Sequence, residues 1–265
     1  MCAASSGHFV KFSFRLIVTS VFDFSRFSDL TLSEARWAMG GLLTVSFTVL
    51  ARLMRGVTNS GAIAGAAVCF VLYVGGGPGA FAALITVFSL TWITTRLGYR
   101  RKQGLGTAER REGRKASQVL ANLGVATACA AMSLLSPNRM LFLLAMAAAL
   151  SEAAADTVSS ELGQAFSAKA RLITSWRAVP PGTDGAVSLP GTLSGVVAAG
   201  TVSAVCVLWG LLPRRWLALS AVAAVLGMVT DSFLGAWLER RGLVNNDAVN
   251  FLGTLTAALA AFCLA

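Results

Sequence analysis

Long hydrophobic stretches, too many and too closely spaced for a water-soluble fold, are the feature that most constrains this chain of 265 residues. Hydrophobic residues make up 55% of the sequence and charged residues 13%, whereas a typical soluble domain is about 25% charged. A run of about 20 mostly apolar residues is long enough to cross a bilayer as an α-helix. The sequence therefore predicts an all-α, polytopic integral membrane protein.

About eight such stretches lie in residues 37–265, which we predict to form one membrane domain. Glycines and a proline at 74–80 predict a tight turn between the second and third stretches. Residues 1–36 are rich in Phe but interrupted by charges, which predicts a tail that lies in the membrane interface or is disordered. The stretches cover about residues 37–51, 59–74, 79–95, 117–135, 139–158, 191–212, 216–238 and 248–265.

Basic residues between the stretches predict the orientation of the protein. The net charge is +10, and the loop at 96–116 is strongly basic. If this loop is cytoplasmic, the loops on its side carry 15 Arg and Lys residues and the opposite side carries 7, which agrees with the positive-inside rule. The charge also suits anionic lipid headgroups, whereas the sequence offers no soluble basic fold that would bind nucleic acid.

A single histidine, His8, restricts the chemistry that the membrane domain can perform. His8 lies in the N-terminal tail, so the hydrophobic stretches contain no histidine at all. A Ser-His-Asp triad, a His-ligated zinc site and a histidine general base in the membrane body are thereby excluded. Carboxylates, amides, hydroxyls and basic side chains are the groups left in the polar motifs of these stretches.

Carboxylates within the hydrophobic stretches are the strongest functional signal. Glu152, Asp156 and Ser160 are spaced four residues apart in SEAAADTVSSELG, so they share one helix face. Asp231 lies in the seventh stretch, at the start of DSFLGAWLERRG. An intramembrane carboxylate costs about 3 kcal/mol on insertion scales and is functional by default, and a bound cation would compensate this cost. Hydration at a helix end, or for Asp231 a hydrogen bond between helices, is the structural alternative.

Three further motifs predict phosphate binding. The loop at 179–195 combines glycines with Asp184 and leads into a helix N-terminus, although a plain Pro/Gly turn would look the same. RKASQVLANLG places Lys115 and Asn122 on one helix face, where the lysine meets a phosphate or simply snorkels. NNDAVN, at 245–250, holds more amides than helix capping needs. The predicted phosphate-binding residues are Lys115, Asn122, Gly182, Thr183, Gly185, Ser188, Asn246 and Asn250.

The predicted topology places all these motifs at one end of the helix bundle, the predicted cytoplasmic face. Carboxylates, glycine-rich backbone, hydroxyls and cations without histidine are typical of Mg²⁺-dependent phosphoryl transfer, which relies mainly on positioning and charge. An acceptor that is already a phosphate is ionised and needs no strong base. We predict that Glu152, Asp156 and Asp231 bind the metal and that Asp156, Asp184 and Asp231 are catalytic.

Several of these motifs, in order along the chain, resemble the transmembrane protein 19 family, also called the domain of unknown function 92 family. The resemblance covers about residues 37–265 and rests on NSGAIAGAAV, SEAAADTVSSELG, RLITSWRAVPPGTDGAVSLPGTLSG, DSFLGAWLERRG and NNDAVNFLGTL. The family includes plant phytyl-phosphate kinases, although many members have no established activity. The chain has Val158-Ser159 where relatives often have Trp-Ala, which affects packing rather than the acid beside it. The family residues that match here are Asp156, Asp184, Asp231, Asn246 and Asn250.

The resemblance implies a kinase that transfers a phosphoryl group from a nucleoside triphosphate to a prenyl, phytyl-like monophosphate, with the lipid tail between helices. The alternative is a transporter or flippase of a phosphorylated lipid. A helix interrupted at Pro190-Gly191 and inverted repeats would favour transport, as would acids near the membrane midplane. The sequence has no visible inverted repeat, and the acids are predicted at one face, so we favour the kinase.

Overall fold

The computed structural model describes residues 34–109 and 111–265. In this part of the chain, six helices are long and apolar enough to cross a membrane, which confirms the predicted all-α, polytopic membrane fold. The predicted tail lies outside the described residues, except that residues 34–36 begin the first helix. The helices are α1 (Glu34–Leu53), α2 (Asn59–Arg96), α3 (Tyr99–Gly104), α4 (Ala116–Leu135), α5 (Arg139–Phe166), α6 (Leu189–Leu208), α7 (Leu217–Trp237) and α8 (Asn246–Leu264).

The long helix α2 is two helical arms joined at Gly77, within the predicted turn at 74–80. Gly77 has φ 67° and ψ −156°, a conformation that interrupts a helix and favours glycine, and Pro78 follows it. At this end of the bundle, the Arg36 guanidinium donates a hydrogen bond to the Val74 carbonyl over 2.8 Å. The first arm of α2 therefore ends beside the start of α1.

The second arm of α2 returns along α1 to its other end. The rings of Phe47 and Phe88 pack edge to face, with centroids 5.3 Å apart. The indole of Trp92 donates to the Met54 carbonyl over 3.1 Å, just after α1 ends. The two arms thus form a helical hairpin, as the sequence predicted for its second and third stretches.

Helix α5 forms the centre of the bundle and packs against α2, α4, α6, α7 and α8. It is buried almost continuously from Leu143 to Ala155, where alanines allow neighbouring helices to approach closely. It was predicted to end near residue 158 but continues to Phe166, so the segment after 158 begins as helix and not as loop.

The loops at 54–58, 97–115, 167–188 and 238–245 meet at one end of the bundle, which we call the basic end. Val57 forms a parallel β-bridge with Arg114, and the Arg101 guanidinium donates to the Ser167 carbonyl. Gly185 packs directly against α7. The helices therefore alternate in direction as the topology predicted.

A small sheet lies in the 167–188 loop, where the sequence predicted no regular structure. Its strands are β1 (Ala170–Leu172), β2 (Ala178–Val179) and β3 (Ala186–Val187), in the order β2-β1-β3 with both pairs antiparallel. The Ile173 amide donates to the Gly185 carbonyl over 3.0 Å, which joins the turn at 180–185 to the residue that follows β1.

A buried ion pair attaches α3 to the bundle. The Lys102 side chain is fully buried, and its ammonium donates to the carbonyls of Thr94 (3.1 Å) and Thr95 (2.7 Å) at the end of α2. It also pairs with the Glu161 carboxylate of α5. A cation at a helix C-terminus satisfies its last carbonyls, so Lys102 joins α2, α3 and α5.

Candidate functional site

Glu152 lies deeper in the bundle than the sequence predicted. Because α5 continues to Phe166, Glu152 is 13 residues from the start of the helix at Arg139 and 14 from its end. The residue is 1% exposed, and its side chain lies between Gly227 of α7 and Gly253 of α8. The prediction that Glu152 lies toward the inner end of its helix is therefore wrong, and it is the deepest of the predicted acids.

Asp156 and Asp231 lie above Glu152, toward the basic end. Their carboxyl groups are within side-chain hydrogen-bonding range of each other, and Glu152 interacts electrostatically with both. Glu152 Oε1 and Asp231 Oδ2 are buried without a hydrogen-bond partner. We call these three residues the carboxylate column. Buried carboxylate oxygens that lack a partner are costly, and a bound cation would remove that cost.

Two acids of the carboxylate column, rather than all three, have the composition in which Mg²⁺ is commonly bound. Among the described residues, no group of three or more acidic, histidine or cysteine side chains is arranged to hold a metal ion alone. Mg²⁺ is usually held by one or two carboxylates together with water and substrate phosphates. The pair Asp156 and Asp231 matches this mode of binding. The assignment of Glu152 as a further ligand stays a prediction.

Gly227 has no side chain, and this absence leaves the space in which the Glu152 side chain lies. A Cβ at Gly227 would lie 2.6 Å from Glu152 Cγ and 2.6 Å from the Gly253 carbonyl oxygen. We expect Gly227→Ala to lower the free energy of unfolding by about 1–3 kcal/mol, because α7 and α8 must separate. Gly200→Ala is the matched control, since a Cβ there meets nothing within 4 Å. Thermal unfolding in detergent compares the two variants, and equal unfolding midpoints would show that Gly227 is not needed for the close packing of α7 against Glu152 and α8.

A polar cavity of about 270 Å³ lies at the basic end, directly above Glu152. It opens between α4, α5, α7, α8 and the 180–188 turn. Ten of the twelve residues predicted from sequence line it, and Glu152 and Lys115 do not. Those ten are Asn122, Asp156, Gly182, Thr183, Asp184, Gly185, Ser188, Asp231, Asn246 and Asn250.

The 180–188 turn has the backbone geometry that its glycines predict. Gly182 and Gly185 have φ of 89° and 72°, in the left-handed region that favours glycine. Ser188 caps α6, since its hydroxyl accepts a hydrogen bond from the Gly191 amide over 3.3 Å. The exposed Asp184 therefore stands at the rim of the cavity, near a helix N-terminus that suits an anion.

The asparagines at the start of α8 divide into one cap and two cavity residues. Asn245 caps the helix by accepting a hydrogen bond from the Ala248 amide over 3.0 Å. Asn246 and Asn250 line the polar cavity instead. Capping therefore accounts for one amide of this motif, and the predicted phosphate-binding role of the other two stays a prediction.

Arg114, rather than the predicted Lys115, reaches the polar cavity. Lys115 is exposed at the N-cap of α4, whereas the Arg114 guanidinium donates to the Thr157 hydroxyl over 3.2 Å. The backbone of Arg114 is held on both sides, because its amide donates to the Gly56 carbonyl and its carbonyl accepts from the Thr58 amide, each over 3.0 Å. This contact between distant loops decides which basic side chain turns inward, and the RKASQ motif alone carries no signal for it.

Other cavity residues were also missed from sequence. Glu239 follows α7 and lies close enough to Asp184 and Asp156 to interact with both. Its position just after a hydrophobic stretch was the only available signal. Ser160, which was predicted to share the helix face of Asp156, also lines the cavity, together with Gln118 and Ser232. The remaining missed polar residues in the lining are Thr107, Glu109, Thr157, Ser159, Glu161 and Gln164.

A second cavity, of about 340 Å³, lies beside the polar one between α1, the two arms of α2 and α4. Its wall is mostly apolar, with arginines at the basic end. Glu109, Arg114 and Asn122 line both cavities, so the two adjoin.

Comparison with known proteins gives a consistent picture. The profile described as "Integral membrane protein DUF92" matches residues 42–258. The "Uncharacterized membrane protein MJ0933" of Methanocaldococcus jannaschii is 29% identical over 221 residues, which is 82% of this chain and 90% of that protein. "Protein VTE6, chloroplastic" of Arabidopsis thaliana is 29% identical over 219 residues, or 78% of this chain and 66% of that protein. No solved structure gives a significant match.

Proposed function

The chain belongs to the DUF92 family of integral membrane proteins, and from this premise we propose that it is a prenyl-phosphate kinase. It would transfer a phosphoryl group from a nucleoside triphosphate to a prenyl, phytyl-like monophosphate in a Mg²⁺-dependent reaction. The activity of the plant phytyl-phosphate kinases in the family that the motifs resemble suggests this reaction. The observation that carries the proposal is the carboxylate column, which opens into a cavity lined by amides, hydroxyls and Arg114.

The carboxylates supply the metal-binding part of the proposed site. Asp156 and Asp231, with Glu152 below them, would hold Mg²⁺ against the triphosphate. Bound Mg²⁺ would neutralise part of the phosphate charge and orient the reacting group. The buried position of the column strengthens this attraction, because charges interact more strongly where water is scarce.

The remaining residues of the cavity would position the two phosphates. Arg114 offers a planar fork of donors that matches a phosphate, and Asn246 and Asn250 add amide donors. The backbone of the 180–188 turn and the start of α6 suit the nucleotide phosphates. Binding both substrates in one orientation accounts for much of the rate in phosphoryl transfer.

The reaction itself needs no general base. An oxygen of the prenyl monophosphate attacks the γ-phosphorus, and the bond from this phosphorus to the β–γ bridging oxygen breaks. The nucleoside diphosphate leaves with the electron pair of that bond, and a new phosphoanhydride joins the two phosphates of the lipid. Because the attacking oxygen is already ionised, the absence of histidine from the described membrane helices is compatible with this chemistry.

One observation favours the alternative, a transporter of a phosphorylated lipid. Glu152 lies at the midpoint of α5, and transporters bind their ions near the membrane midplane. The interrupted helix that transport would use is absent at Pro190-Gly191, however, because α6 begins there and continues to Leu208. The break at Gly77 lies at the end of the bundle opposite the polar cavity. We therefore keep the kinase as the proposal.

The proposal is tested with purified protein in detergent. Labelled ATP, CTP and UTP are each incubated with prenyl monophosphates of several lengths, with Mg²⁺ or with a chelator. We expect label in a prenyl diphosphate for at least one pair, and no product after chelation. Failure of every pair to give a diphosphate would reject the kinase.

A further inference from the structure

The apolar cavity has the composition of a hydrocarbon site with a cationic mouth. Its walls include Phe47, Leu84, Val87, Phe88 and Leu123 from α1, the second arm of α2, and α4. Of the described residues, four arginines line its basic end, namely Arg55, Arg96, Arg111 and Arg114. An amphipathic molecule with an apolar chain and an anionic head matches this distribution of surface.

Arg114 lies where the two cavities meet. Its guanidinium contacts Thr157 and interacts with Asp156 in the polar cavity, and the same residue lines the apolar cavity. A ligand whose chain fills the apolar cavity would therefore place its head beside Arg114. From that position, the head faces the carboxylate column.

We propose that the apolar cavity binds the tail of a single-chain isoprenoid monophosphate and that the absence of a side chain at Gly65 leaves room for the end of a long tail. For the identity of the headgroup, this inference rests on the proposed function. The volume of about 340 Å³ is at the small end of ligand sites, which span about 300–1,000 Å³, and therefore suits one chain better than two.

Gly65 and Gly61, which lie four residues apart in the first arm of α2, differ in their surroundings. A Cβ at Gly61 would overlap the Arg114 carbonyl, so Gly61 is needed for close packing of the first arm of α2. A Cβ at Gly65 meets nothing within 4 Å, although the residue lines the apolar cavity. A side chain at residue 65 would thus extend into open space and shorten the pocket.

The test measures binding of geranyl and geranylgeranyl monophosphates to purified protein without nucleotide. We expect the series Gly65→Ala, Gly65→Val and Gly65→Leu to weaken binding of the longer probe step by step and to spare the shorter one. Each methylene of the tail that loses its buried position should weaken binding about fourfold, so a side chain that displaces three methylenes of the longer probe should weaken its binding about sixtyfold. Gly65→Ala adds one carbon and keeps the series informative if the larger variants do not fold. Gly200→Leu is the matched control, because a Cβ at Gly200 also meets nothing within 4 Å.

The headgroup part of the inference has its own comparison. Arg114→Gln should weaken binding of geranylgeranyl monophosphate but leave binding of the uncharged alcohol geranylgeraniol unchanged. Equal loss for both ligands would show that Arg114 does not hold the phosphate. Displacement of the probe by phosphatidic acid at equal concentration would show a two-chain lipid as the occupant and overturn the proposal.

Failure of this inference is distinguishable from failure of the kinase. If the Gly65 series shifts the chain-length preference while no diphosphate forms, the assignment of the pocket is supported and the kinase is rejected. If diphosphate forms but the series leaves chain-length preference unchanged, the kinase stands and the pocket assignment is wrong.

Discussion

Replacing Asp156 or Asp231 by asparagine is expected to lower the phosphoryl-transfer rate by at least about a hundredfold, while the protein still inserts and folds. Both carboxylates are charged ligands in a site whose chemistry depends on charge and position. The amide keeps the shape of the side chain but removes its charge. The electrostatic repulsion between the two buried acids is removed as well. We therefore expect the variants to be at least as stable as the wild type.

Asp247→Asn provides the matched control for these two variants. Asp247 lies in the first turn of α8, beside the site but outside the lining of both cavities. Turnover of labelled prenyl monophosphate is measured for all three variants. The elution of each variant is measured as well, to check that it is folded. Wild-type turnover in both site variants would show that the carboxylates are structural and that the site is misassigned.

Removing the cation of the buried pair at α3 should have the largest effect on stability. Lys102→Met leaves Glu161 buried beside the end of α2 without its counter-ion, which typically costs about 3–5 kcal/mol of the free energy of unfolding. The double variant Lys102→Met with Glu161→Gln should recover part of this loss, because no uncompensated charge remains. Thermal unfolding in detergent measures both effects.

Lys169→Met is the control, since Lys169 is an exposed lysine at the same end of the bundle. We expect its unfolding midpoint to stay within the experimental spread of the wild type. A double variant less stable than Lys102→Met alone would show that the Glu161 charge is satisfied without Lys102, and that Lys102 is not its necessary counter-ion.

The sequence predicted the helices and the shared location of the polar motifs because both follow from local rules. Hydrophobic stretches must cross the bilayer, and short loops force alternate directions, so motifs at alternating helix ends come together. Asp156, Asp231, Asn122 and Asn250 line one cavity for this reason. The turn at Gly77 was also predictable from the sequence, because glycines and a proline interrupt the hydrophobic run.

What the sequence did not predict depends on contacts between distant segments. The choice of Arg114 over Lys115 is made by the bridge to Val57, which lies far away along the chain. The depth of Glu152 follows from the extension of α5 to Phe166, and polar residues after 158 hid that extension. Small polar residues are compatible with both helix and loop, so the boundary could not be read locally.

The depth of Glu152 bears directly on the choice between kinase and transporter. The acids form a column from the middle of the bundle to its basic end rather than a layer at one face. Position alone therefore no longer separates the two functions. They differ instead in whether a nucleoside triphosphate is consumed and whether two compartments are needed.

Solubilised and reconstituted protein give different results for a kinase and for a transporter. The protein in detergent, with no gradient and no second compartment, receives a prenyl monophosphate, Mg²⁺ and a nucleoside triphosphate labelled at its γ-phosphate. The same protein in sealed vesicles is assayed for movement of the prenyl monophosphate across the membrane without nucleotide. A prenyl-phosphate kinase should give labelled prenyl diphosphate in detergent and no movement of the prenyl monophosphate in vesicles. Movement across the vesicle membrane, with no diphosphate from any common triphosphate, would contradict it.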